Sequence, residues 1–159
     1  MKALVIYDSF FGNTEKIAQA IGEALSSHGE VQVLKVSNAK LEHLAGLSLL
    51  VVGSPTRAFR PSPAISSFLG RIPANGLQGI KVAAFDTGIS LQDANSAILS
   101  FFVKLFGYAA KPIAAKLAKK GGALAIPPEG FFVRGSEGPL KEGELDRVAD
   151  WAKQIMATL

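Results

Sequence analysis

Ala3-Leu4-Val5-Ile6-Tyr7-Asp8-Ser9-Phe10-Phe11-Gly12-Asn13-Thr14-Glu15 carries more information than any other stretch of this chain. An apolar strand runs into a turn of small, hydroxyl and amide side chains, and an amphipathic helix over residues 14–25 runs out of it. Such a turn gathers backbone N–H groups, Ser/Thr hydroxyls and the positive end of a helix dipole around one point, which suits a phosphate. The loop follows the first strand. In a parallel sheet it therefore lies at the carboxyl end of a strand, where open α/β sheets bind their ligands.

Working outward, apolar runs alternate with helical segments along the chain, the βαβ signature of a parallel sheet with helices on both faces. The first strand spans residues 2–7. The first helix carries Ile17, Ala18, Ile21, Ala24 and Leu25 at three-to-four spacing, and His28-Gly29 ends it. Val31-Gln32-Val33-Leu34-Lys35-Val36 alternates in part, as an exposed edge strand does. Leu49-Leu50-Val51-Val52 and residues 80–85 are apolar throughout and read as central strands. A second helix starts at Pro61 or Pro63, where a missing N–H costs nothing. Asp93 caps a helix through Phe106, which Gly107 ends, and Pro112 opens a further helical piece reaching Lys120. Ala123-Leu124-Ala125-Ile126 is a fifth strand. Pro127-Pro128 interrupts it before Phe131-Phe132-Val133, which makes it an edge strand or a bulge. Residues 144–156 form the last helix, with Leu145, Val148, Ala149, Ala152, Ile155 and Met156 inward. The expectation is one domain, 1–159, with five strands each followed by helix. Right-handed crossovers make it a three-layer α/β/α sandwich.

Composition narrows the chemistry. With 159 residues, 48% of them hydrophobic and 19% charged, the chain can bury a core without staples. Cysteine is absent, which excludes disulfides, zinc thiolates, iron–sulfur clusters and a thiol nucleophile. No metal site is expected. Asp8 ends the first apolar run too early for a signal peptide or a membrane span, so the expected setting is soluble and cytoplasmic. Net charge is +4, and between His43 and Pro128 the only acids are Asp86 and Asp93. That excess either steers anionic ligands or is a solvated helix face with a few ligand-facing arginines. No nucleic-acid motif is present, and no such partner is expected.

Three loops at the carboxyl ends of strands carry a resemblance to the flavodoxin family. Ser9-Phe10-Phe11-Gly12-Asn13-Thr14 resembles the family's phosphate loop, Thr-x-Thr-Gly-Asn-Thr, with Ser9 for the first threonine and Phe11 for the second. Gly53-Ser54-Pro55-Thr56-Arg57-Ala58-Phe59-Arg60-Pro61 stands where flavodoxins touch the isoalloxazine ring, and is also similar to the corresponding loop of flavodoxin-like quinone reductases. Asp86-Thr87-Gly88-Ile89-Ser90 stands where backbone groups meet the pyrimidine edge. The expected sheet is accordingly five-stranded, parallel and ordered 2-1-3-4-5, an order for which flavodoxin is itself the standing example.

The resemblance implies non-covalent FMN. It places the phosphate on Ser9, Phe10, Phe11, Gly12, Asn13 and Thr14, the ring and ribityl on Pro55, Thr56, Arg57, Ala58 and Phe59, and the pyrimidine edge on Asp86, Thr87 and Gly88. A tyrosine commonly stacks on the outer flavin face in that family. The third loop has none, since the two tyrosines are Tyr7 and Tyr108. Phe59 is the expected substitute, with Phe10 or Phe11 behind it, and a partner chain in an oligomer could cover the same face. No protein residue is expected to be catalytic, because the flavin carries the chemistry. Electron transfer to a redox partner protein is the leading function. An NAD(P)H-dependent quinone or flavin reductase is the alternative, favoured by Arg57 and the uncovered face, with a small quinone or nicotinamide as partner. A flavodoxin-fold binding module without FMN, favoured by Phe11, is a third. Arg57 and Arg60 flank the expected ring site, where positive charge favours the anionic reduced flavin.

Other residues read as structural. His28 suits a helix C-terminus, His43 a surface, and Trp151 the packing of the last helix. Asp8 lacks the surrounding acids and lysine of a phosphoryl-accepting aspartate. Ile98-Leu99-Ser100-Phe101-Phe102-Val103-Lys104-Leu105-Phe106 reads as a helix face buried on the sheet. A membrane-surface role is its alternative, and no stable membrane insertion is expected.

Overall fold

In the computed structural model, which describes residues 1–89 and 108–159, side chains on the central strands alternate between two apolar layers. From β1 (Lys2–Tyr7), Leu4 and Ile6 enter one layer, and Ala3, Val5 and Tyr7 the other. β3 (Leu49–Pro55) divides Leu50 and Val52 from Leu49 and Val51, and β4 (Lys81–Ile89) divides Val82 and Ala84 from Ala83 and Phe85. A strand with helices over both faces must be apolar at consecutive positions, which is why these runs show no alternation in sequence. β2 (Glu30–Lys35), covered less completely, is the half-exposed edge.

All pairings in the sheet are parallel, and the order is β2-β1-β3-β4-β5. The last position is filled by two pieces. β5 (Ala123–Leu124) pairs with Lys81 and Val82 of β4, and β6 (Glu129–Val133) pairs with Phe85 to Ile89 of the same strand. Pro127 and Pro128 separate them, so the expected fifth strand is one edge broken where two residues cannot donate. β5 is shorter than expected and β6 starts earlier, at Glu129.

α1 (Asn13–Ser26) buries Ile17, Ala18, Ile21 and Leu25 beside α4 (Glu144–Met156) on one face. α2 (Pro63–Arg71), with Ser62 as its cap and Pro63 in the first turn, covers the other together with α3 (Ala110–Lys119). Two expectations are corrected. β2 is followed not by an α-helix but by two 3-10 turns, Val36–Asn38 and Leu41–Leu44, whose Val36 and Leu44 join the core together with the neighbouring Ala39 and Leu47. His43 serves the second turn, accepting the Lys40 N–H at 2.9 Å.

The inward face of α4 is also rotated from the expected one. Glu144, Val148, Trp151, Ala152 and Ile155 are buried, while Leu145 is 53% exposed. Leu145 lies roughly 80° around the helix from the centre of that face. The indole sets the rotation. Trp151 meets Phe85 and Phe131 edge-on, at centroid distances of 6.2 and 5.9 Å, and Phe85 meets Phe131 at 6.2 Å. Large rings dominate core energetics, so the helix turns to admit the indole. The helix expected from Asp93 to Phe106, the Gly107 stop, Ser90 and the apolar segment 98–106 lie outside the described residues.

Candidate functional site

The three loops singled out in sequence converge at the carboxyl end of the sheet. Asp8 follows β1, and its N–H donates to the Gly53 carbonyl at 3.2 Å. Its buried carboxylate accepts the Ser9 N–H at 2.9 Å, and Ser9 Oγ accepts the Gly12 N–H at 3.1 Å. The Ser9 hydroxyl thereby keeps its own proton for another acceptor. Gly12, at φ +91, is the N-cap of α1 and offers no side chain to the helix. A side chain disfavours that conformation. Among the described residues no side chain caps the first turn, so its orphan N–H groups are available to an anion.

Thr14 Oγ1 and Thr87 Oγ1 lie 2.7 Å apart, both buried, and tie the first loop to the end of β4. One hydroxyl donates to the other, which leaves one proton of the pair for a third group.

The second loop continues the β3–β4 ladder, with the Thr56 N–H donating to the Thr87 carbonyl at 2.9 Å. Thr56 Oγ1 accepts the Ala109 N–H at 3.0 Å, and Ser54 Oγ accepts the Ser62 N–H at 2.8 Å, which fixes the start of α2. Between them Arg57 and Arg60 exchange backbone hydrogen bonds of 3.0 and 2.9 Å around Ala58 and Phe59, at φ +47 and +65. Two residues in this region make a tight reversal normally given to Asn-Gly, and each non-glycine residue costs roughly 1–2 kcal/mol there. The Arg57 guanidinium lies 4.9 Å from the centre of the Phe10 ring, joining the second loop to the first.

These loops enclose a cavity of about 380 Å³. Ser9, Phe10, Phe11, Asn13 and Thr14 line one side, Pro55, Thr56, Arg57 and Ala58 another, and Thr87, Gly88 and Ile89 the floor. Three expected site residues stand apart. Gly12 is the helix cap beneath the loop. Phe59 lines a neighbouring groove with Arg60, Pro61, Pro63, Ser66 and Pro112. Asp86 is buried under the floor. Its Oδ2 accepts the Ala110 N–H at 2.8 Å, and its Oδ1 has no partner among the described residues. Burial pushes its pKa up to about 7; the Ala110 N–H works against that, and the charge of Glu129 adds to it.

Val133 and Ser136 complete the wall and were not anticipated. Their only sequence signal is position, Val133 at the end of the last strand and Ser136 just after it. Tyr108 was also hidden by sequence distance. Its hydroxyl donates to the Ile89 carbonyl at 2.7 Å, and its ring faces Gly88, where a Cβ would lie 3.2 Å from Cδ1. Burial, and then the charge of Asp86, raise the Tyr108 pKa.

The cavity has donors at one end, flat apolar walls beyond, and a volume in the range of about 300–1,000 Å³ that suits small-molecule ligands. FMN, with a phosphate at one end and a flat ring at the other, fits that division. Among the described residues no cluster of His, Asp or Glu could hold a metal, and no helix is long and apolar enough to cross a membrane.

A family model described as flavodoxin matches residues 5–151. Among solved structures, a flavodoxin from the domain Archaea is 24% identical, with 99% of each chain covered and a TM-score of 0.76. Oxidised flavodoxin 1 from Bacillus cereus is 17% identical, with 100% of this chain and 99% of that one covered and a TM-score of 0.80. The chain is also similar to part of rubredoxin oxygen:oxidoreductase from Desulfovibrio gigas, at 20% identity over 99% of this chain and 36% of that one, with a TM-score of 0.74.

Proposed function

The chain belongs to the flavodoxin family, and we propose that it is an electron carrier that binds FMN in the three-loop cavity. The observation that carries this reading is the union, in one cavity, of an uncapped helix N-terminus with Ser9 and the apolar walls of Phe10, Pro55, Ala58 and Ile89. The N–H groups of the first turn of α1 and the Ser9 hydroxyl hold the phosphate, with no lysine or arginine in the loop itself. Pro55, Thr56, Arg57 and Ala58 hold the ring and ribityl side, and Thr87 and Gly88 the pyrimidine edge. Bound FMN supplies one- or two-electron redox chemistry, while the chain supplies binding, orientation and electrostatics. The partner is another redox protein, and the setting is cytoplasmic.

The test is titration of the purified apoprotein with FMN, followed by its visible spectrum. A colourless protein that takes up no FMN would overturn the reading.

A reductase on the same site is favoured by one feature, the exposed Arg57 guanidinium at the rim, which could receive an anionic dinucleotide. Steady-state consumption of NADH or NADPH with a quinone present separates the two. A carrier consumes neither at a useful rate.

A further inference from the structure

The chain leaving β6 makes a short excursion over residues 134–139 and returns antiparallel, bridging Val133 to Leu140. Its backbone is held at both ends. The Arg134 N–H donates to the Pro139 carbonyl at 2.9 Å, the Gly138 N–H to Gly135 at 3.0 Å and the Lys141 N–H to Phe132 at 2.9 Å. Behind it, buried Glu144 accepts the Phe132 N–H at 2.8 Å, and Arg147 pairs with both Glu144 and Glu129. The excursion therefore leaves a rigid edge.

It touches the first loop at one point. Asn13 Nδ2 donates to the Glu137 carbonyl at 3.0 Å, across 124 positions of sequence. Gly138, at φ +101, lies so close to the same amide that a Cβ there would fall 2.5 Å from Asn13 Oδ1. This contact latches the excursion to the first turn of α1.

The latch changes what the phosphate end can offer. One of the two Asn13 amide N–H donors is engaged by Glu137, and Phe11 presents no hydroxyl. Ser136, adjacent to Glu137, lines the same cavity as Ser9 and Thr14, and its hydroxyl has no partner among the described residues.

We propose that residues 134–138 form a fourth ligand loop, in which the Ser136 hydroxyl donates a hydrogen bond to the phosphate of bound FMN. Asn13 and Gly138 act as positioning residues that hold the loop over the helix N-terminus. The inference rests on the FMN reading.

The experiment compares FMN with riboflavin, which lacks the phosphate, on the full chain by fluorescence titration. Ser136→Ala weakens FMN by about tenfold to a hundredfold, the loss of one hydrogen bond to a charged group, and leaves riboflavin unchanged. Ser136→Thr restores FMN. Gly138→Ala, which displaces the latch, weakens FMN more than riboflavin. FMN binding unchanged in Ser136→Ala, or FMN and riboflavin weakened equally, overturns the fourth loop while leaving the cofactor in place. Failure of the wild type to bind FMN at all overturns the cofactor reading itself.

Discussion

Replacing Asp86 by Asn flattens the pH dependence of this protein's stability. The carboxyl is buried, one oxygen accepts the Ala110 N–H, and the other has no partner among the described residues. Burial first, and then the charge of Glu129, lift its pKa from 3.8 to about 7, while the Ala110 N–H opposes the rise. The charge of Asp86 in turn raises the pKa of the Tyr108 phenol, and Glu129 is itself paired with Arg147 at 3.1 Å.

A raised folded-state pKa means the folded protein holds the proton more tightly than the unfolded chain. The associated stabilisation is complete below pH 3.8 and is lost as the pH climbs through about 7. Three pH units at about 1.4 kcal/mol each give roughly 4 kcal/mol in all, of which roughly 2–3 kcal/mol falls between pH 5 and pH 8. Asn keeps the acceptor for Ala110 but cannot ionise. Urea unfolding of wild type and Asp86→Asn across pH 5 to 9 isolates the effect, because the other titrating groups are shared and cancel in the difference. The variant gains on the wild type by that amount between pH 5 and 8, whatever constant offset its unpaired amide adds. Parallel curves would show that Asp86 titrates normally and refute the reasoning.

Thr14→Ala weakens FMN and also lowers the stability of the FMN-free protein by about 1–3 kcal/mol, since the buried Thr87 hydroxyl loses its partner; equal melting temperatures of variant and wild type count against this. Phe10→Ala weakens FMN by roughly 0.5–1.5 kcal/mol while Phe59→Ala leaves affinity unchanged, because Phe10 lines the cavity and Phe59 the neighbouring groove. The reverse order in a binding titration returns the stacking role to Phe59. Arg57→Ala makes the second-electron potential of the FMN form more negative than Arg60→Ala does. Arg57 alone of the two lines the cavity, and salt limits the reach of exposed charge to about 10 Å at 0.1 M. Identical potentiometric curves for the two variants sink that assignment.

Much of the architecture was legible because it rests on local rules. Apolar runs without alternation mark strands covered on both faces, and proline at 63 and 127–128 marks a helix start and a broken edge. Crossover handedness then puts helices on both faces of the sheet, while the strand order followed from the resemblance of the three loops to the flavodoxin family. The first loop was legible for the same reason, since strand, turn and helix are neighbours in the chain.

Tertiary structure decided what depends on distant segments meeting. The face of α4 turned because Trp151 found Phe85 and Phe131, contacts that no periodicity of the helix itself encodes. Asp86, at the start of the third loop, points under the floor because α3 brings the Ala110 N–H to it. Phe59 leaves the cavity because a reversal at positive φ carries it round to α2. Ser136 enters because Asn13 holds its neighbour Glu137 from the other end of the chain. A sequence specifies the periodicity and the turns of each segment by short-range sterics. Which side chain faces a shared cavity is set by packing among elements remote in sequence, and only the folded chain brings those together.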